Sequence, residues 1–158
     1  MTLHDAYHIH PIHVLPELVV QGEDPWFVLN GFLHDWWCYA VDQRDELILT
    51  PPSPGDTLEQ QQWAAFTAAV VEELCNRVNY PHPAWIFHPD YQLTSPWFVS
   101  SQPHDTLEPF TRRNVFVSKT VLDNKYELRA LYGKNQLPLW SEQEMNVLFP
   151  METEGKTS

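Results

Sequence analysis

The sequence predicts an all-α or mainly α fold, a compact helical bundle whose elements are joined by long segments rich in proline and aromatic residues. Three observations lead there. Apolar side chains recur at steps of three and four in two long stretches, each stretch opens on a helix-capping signal, and the prolines fall outside the interiors of both. With 158 residues, 43% of them hydrophobic and only 19% charged, the chain has the length and composition of one folded domain. The expected organisation is an extended N-terminal segment over 1–23, a single helical domain over 24–150 and a frayed tail over 151–158.

The first predicted helix runs from about Pro25 to Val41. Asp24 is a good N-cap, Pro25 suits the first helical position, and Leu29, Phe32, Leu33, Trp36 and Ala40 form an apolar stripe. Trp26, Phe27 and Trp37 lie off that stripe, so this helix is expected at the centre of the bundle, and Gly31 is expected to mark a close helix crossing. "TPPSPGD" then breaks the chain. The second helix opens at "TLEQ", where Thr57 and Gln60 form a capping box, and continues to Val78. Trp63, Phe66, Val70, Leu74 and Val78 mark its inner face; Glu72, Glu73 and Arg77 mark the other.

"NYPHPAWIFHPDYQLTSPWF" contains four prolines, which forbid a long helix, and aromatics that need burial, so it is expected to meander over the helices. A third helix is expected from a Ser118 cap to Gly133, with Val121, Leu128, Leu131 and Tyr132 inward and Lys119, Lys125 and Arg129 outward. "SEQEMNVLF" predicts a last short helix capped by Ser141 and Glu144.

Charge divides the chain. Residues 1–111 hold fifteen acids and two bases, Arg44 and Arg77, whereas residues 112–134 hold six bases against Asp123 and Glu127, within a formal net charge of -12. Such an excess of negative charge repels phosphate backbones and favours a protein partner with a basic surface, so nucleic acid is disfavoured. No stretch has the roughly 20 apolar residues of a membrane span, and the N-terminus lacks a signal-peptide pattern, which together predict a cytoplasmic protein. Cys38 and Cys75 have neither metal-ligand nor redox spacing and are expected as reduced, partly buried thiols.

Candidate residues follow from these patterns. Arg112 and Arg113 are the only adjacent basic pair, and their planar forks suit acids on the second helix such as Glu72 or Glu73. As a surface, the same segment offers Arg112, Arg113, Asn114, Lys119, Lys125 and Arg129, with Trp140 as a possible aromatic anchor near the tail. Trp36, Trp63, Trp85 and Trp97 are expected in the core. His4, His8, His10 and His13 include a His-x-His that in extended chain points two imidazoles to one side, the pattern a metal site uses, although the expectation is that no cofactor is bound. His34 with Asp35 and His88 with Asp90 are the candidate acid–base pairs, but neighbouring helix residues do not face one another.

The succession "FLHDWW", "LILTPP", "HPAWIFHPDYQLTSPWF" and "FTRRNVFVSKTVLD", spanning roughly residues 25–125, resembles an uncharacterised bacterial antitoxin-like domain often found fused behind a repressor-type helix-turn-helix. The resemblance implies protein binding rather than catalysis, with a nucleotidyltransferase-type toxin as the partner. About 23 residues precede the first predicted helix, fewer than a helix-turn-helix needs, so DNA binding through one is not expected. The expected function is therefore a non-catalytic protein-interaction module of antitoxin-like or regulatory type. The alternatives are a small metal-dependent hydrolase using the N-terminal histidines and a nucleic-acid-binding regulator using residues 112–134.

Overall fold

A computed structural model describes residues 8–99 and 107–132. Its α-helices are α1 (Leu15–Val20), α2 (Pro25–His34), α3 (Arg44–Ile48), α4 (Leu58–Val78), α5 (Glu108–Thr111) and α6 (Lys125–Tyr132). Two short strands, β1 (Trp97–Phe98) and β2 (Val115–Phe116), pair in parallel, with Trp97 opposite Val115 and Phe98 opposite Phe116. The fold is mainly α. The expected final helix near Ser141, together with Gly133 and Trp140, lies outside the described residues.

The central helix is α4, not α2 as the aromatic count had suggested. Ala64, Ala65, Ala68 and Ala69 give α4 a back face so short that other elements pack there as well as on the Trp63–Phe66–Val70–Leu74 stripe, and every residue from Trp63 to Val71 is buried. Its expected boundaries hold because both ends are capped. The Gln60 amide donates to Thr57 Oγ1 at 3.2 Å, Gln60 Oε1 accepts from the Thr57 amide at 3.0 Å, and Asn79 ends the helix in the left-handed conformation at φ 56°.

Helix α2 starts at Pro25 under the Asp24 cap but stops at His34, short of the expected Val41. A π-turn over Asp35–Tyr39 follows, closed by Ala40 N–H donating to Asp35 O at 2.8 Å. The wider turn brings both Trp36 and Trp37 into the core, while Trp26 is partly exposed and Phe27 is 73% exposed. Trp36 and Trp63 are buried as expected, and Trp85 and Trp97 are half-buried against the core. Gly31 lies beside the His10 ring, not at a crossing of two helices: a Cβ there would sit 3.4 Å from His10 Cδ2.

The N-terminal stretch expected as extended forms a 3-10 turn and α1, which carries Pro16 in its first turn, where a missing N–H costs nothing. Ile12 and Leu15 are fully buried, and α1 packs on α4. At the other end, α6 begins seven residues after Ser118. Ser118 instead accepts from the Thr120 amide, and Asn124 Oδ1 caps α6 by accepting from Glu127 N–H at 3.1 Å. The later start rotates the helix: Leu122 and Tyr126 are buried, Leu131 is exposed, and Lys125, expected outward, is only 1% exposed.

Candidate functional site

Glu72 lies on the buried middle of α4, and α5 ends directly over it. The turn leaving α5 puts Arg112 and Arg113 on the same carboxylate. Arg113 Nη1 donates to Glu72 Oε1 at 2.7 Å and to Pro109 O at 2.7 Å, and its Nη2 donates to Ile86 O at 2.8 Å. Arg113 is 3% exposed, and burial holds its pKa below the usual arginine value despite the hydrogen bonds to Glu72. Arg112 grips Glu72 with both Nη groups, at 3.2 and 2.5 Å, but 41% of its side chain remains exposed. The pairing expected of these arginines with an acid of the second helix is thus present, and Glu72 is the acid.

The following residue fixes the turn. Asn114 takes φ 66°, a conformation that asparagine tolerates, and its Nδ2 donates to Leu93 O at 2.8 Å. Gln92 Nε2 donates to Arg112 O at 2.6 Å, and Leu93 N–H donates to Arg113 O at 3.2 Å. The proline-rich segment is thereby stitched to the arginine turn, and between them opens a groove of about 480 Å3 lined in part by Phe87, His88, Tyr91, Gln92, Thr94 and Arg112.

A second groove, of about 270 Å3, is bounded by Trp26, Leu29 and Leu33 of α2 and by Val99, Val117 and Val121, with Asp123 at its edge. Helical spacing aligns the first three, and the β1–β2 pairing sets Val99 beside Val117. Trp26 also meets Trp63 edge-on, with ring centroids 6.2 Å apart, which anchors one wall to the core.

The remaining expected site residues scatter. Lys119 is exposed, Arg129 is half-buried, and Lys125 is enclosed. Arg77 ties α4 to α6, bonding Glu73 and Glu127 at 2.8 Å each and Asp123 at 3.4 Å. Of the N-terminal histidines, His4 lies outside the described residues. His8 is exposed, His13 packs beside α1, and His10 donates its backbone N–H to the fully buried Asp35 at 2.6 Å while its Nδ1 lies 2.8 Å from the same oxygen. No group of three potential metal ligands occurs among the described residues. The His34 ring stacks on Tyr126 at 4.2 Å and is tilted against Tyr39 at 4.1 Å. His88 Nδ1 lies 3.4 Å from Asp90 Oδ2, and both side chains are more than half exposed.

Sequence reasoning missed both grooves. The signal for the apolar one was present in Trp26, an aromatic off the main stripe, but its opposite wall comes from residues more than 70 positions away. Among the described residues no helix is long and apolar enough to cross a membrane. No family model matches the chain, and neither a curated protein nor a solved structure matches it by comparison.

Proposed function

We propose that this protein is a protein-interaction module of antitoxin-like or regulatory type, and that it receives an apolar side chain of a basic partner in the groove between α2 and the Val117–Asn124 segment. The observation that carries this reading is the combination of an open groove walled by Trp26, Leu29, Leu33, Val99, Val117 and Val121 with a chain of net charge -12. Burying one leucine-sized side chain there contributes about 1.5–3 kcal/mol, and the surrounding negative field steers a basic partner toward it. Asp123, 46% exposed, supplies a carboxylate beside the apolar walls. The antitoxin-like reading adds a partner class, a nucleotidyltransferase-type toxin, and is supported by the resemblance of residues 25–125.

The experiment is affinity capture from the native host with tagged parent protein, Val121→Asp and Phe98→Ala, identifying bound species by mass spectrometry. Expected is one basic protein held by the parent and by Phe98→Ala, whose ring stacks on Phe116 rather than entering the groove, and lost by Val121→Asp. A folded Val121→Asp variant that still holds the partner would refute the groove as its seat.

A further inference from the structure

The arginine groove has an electrostatic surplus that the core does not use. Two guanidiniums share the single carboxylate of Glu72, so the three side chains together carry one net positive charge. Arg113 is fully enclosed and donates to two carbonyls as well as to Glu72. The surplus is therefore displayed by Arg112, whose two Nη groups each spend one hydrogen on Glu72. Its Nε–H and one hydrogen on each Nη have no partner among the described residues. A guanidinium held at its far end by a buried acid is already oriented, so an incoming oxyanion need not immobilise it.

The other groups in this groove fit an anion joined to an apolar body. His88 Nδ1 accepts from Asp90 N–H at 3.1 Å, which in the neutral ring places the proton on Nε2 and makes that nitrogen a donor. Thr94 adds an exposed hydroxyl. Phe87 is 55% exposed on the same groove, an apolar surface that the fold leaves in water. The Tyr91 hydroxyl is taken, donating to Pro52 O at 2.5 Å, so Tyr91 contributes only its ring. The Asp90 carboxylate lies 3.4 Å from His88 Nδ1.

We propose that this groove binds a carboxylate carried on an aromatic or apolar body, with Arg112 as the bidentate anchor and Phe87 as the apolar wall. The carboxylate can belong to a small organic acid or to the C-terminal residue of a polypeptide; both offer the same planar pair of oxygens. This site is independent of the α2 groove.

The test is calorimetric titration of the full chain at low salt with 3-phenylpropanoate and N-acetylphenylalanine, with N-acetylphenylalanine amide as the neutral control. At least one acid should bind saturably, about tenfold or more tighter than the amide, and weaken as salt is raised. The tighter of the two acids identifies the source, a small acid or a chain end. Arg112→Gln should lose that preference while its thermal midpoint stays within a few degrees of the parent, and His88→Ala should weaken binding by a smaller factor. Equal affinity for acid and amide, absence of saturable binding by both acids, or an unchanged preference in Arg112→Gln would each overturn the proposal. The amide comparison uses the unmodified protein, so it decides the matter even where a variant is unstable.

Discussion

Replacing Arg113 by alanine should be one of the most damaging single changes outside the apolar core, and replacing its neighbour Arg112 should be mild. Arg113→Ala removes a 3% exposed guanidinium, leaves Pro109 O and Ile86 O without their donors, and reduces Glu72 to one partner. Breaking a buried pair costs about 3–5 kcal/mol. The cavity and the two unsatisfied carbonyls push toward the upper end, while the retained Arg112–Glu72 fork pulls the other way, so about 4 kcal/mol is expected. Arg112→Ala removes a side chain that is 41% exposed, and solvent screening holds its loss to about 1 kcal/mol, since Arg113 still neutralises Glu72. Urea unfolding monitored by tryptophan fluorescence is the assay. With a slope of about 2 kcal/mol/M, Arg113→Ala should lower the midpoint by about 2 M and Arg112→Ala by about 0.5 M. A double replacement, Arg113→Met with Glu72→Leu, should recover part of the loss, because it strands no buried charge. Equal costs for the two alanine variants, or an Arg113→Ala variant within about 1 kcal/mol of the parent, would refute the argument that burial and carbonyl coordination separate these neighbours.

Two other expectations can be checked with simpler measurements. Burial pushes the Cys75 thiol up to about 12, with Arg44 opposing and Glu72 adding to the rise, whereas Cys38 is exposed; a thiol reagent at pH 8 should therefore modify Cys38 in the native protein and reach Cys75 only on unfolding. Because the folded value lies above the unfolded one of about 8.5, Cys75 contributes stability below that pH, which is lost as pH rises toward the folded value; Cys75→Ala should show a shallower alkaline decline in thermal midpoint. Gly31→Ala should raise stability by up to about 1 kcal/mol, because α2 gains helix propensity and the new methyl meets the half-exposed His10 ring at an ordinary 3.4 Å; a loss in thermal melting would show that His10 cannot yield.

The local elements of this protein were legible wherever the determinant is local. The capping box at Thr57 and Gln60 and the stripe from Trp63 to Val78 define α4 to the residue, and Asp24 with Pro25 fixes where α2 begins. Proline density correctly predicts that residues 79–96 form short turns rather than a long helix. The expectation that Arg112 and Arg113 meet an acid of the second helix also needs only charge arithmetic, since six bases in 112–134 face a stretch with fifteen acids.

What the sequence by itself determined is the mainly α class, the position of the long central helix and the presence of an ion pair between its acids and the Arg112–Arg113 step. Only the tertiary structure decided which helix sits at the centre, where α2 gives way to a π-turn, that Lys125 turns inward, and that the buried Asp35 meets His10. The physical reason is range. Caps and apolar periodicity act over one or two turns of chain, whereas a groove wall shared by Trp26 and Val121, or a carboxylate shared by Arg112 and Arg113 across 40 residues, depends on how all the elements exclude water together.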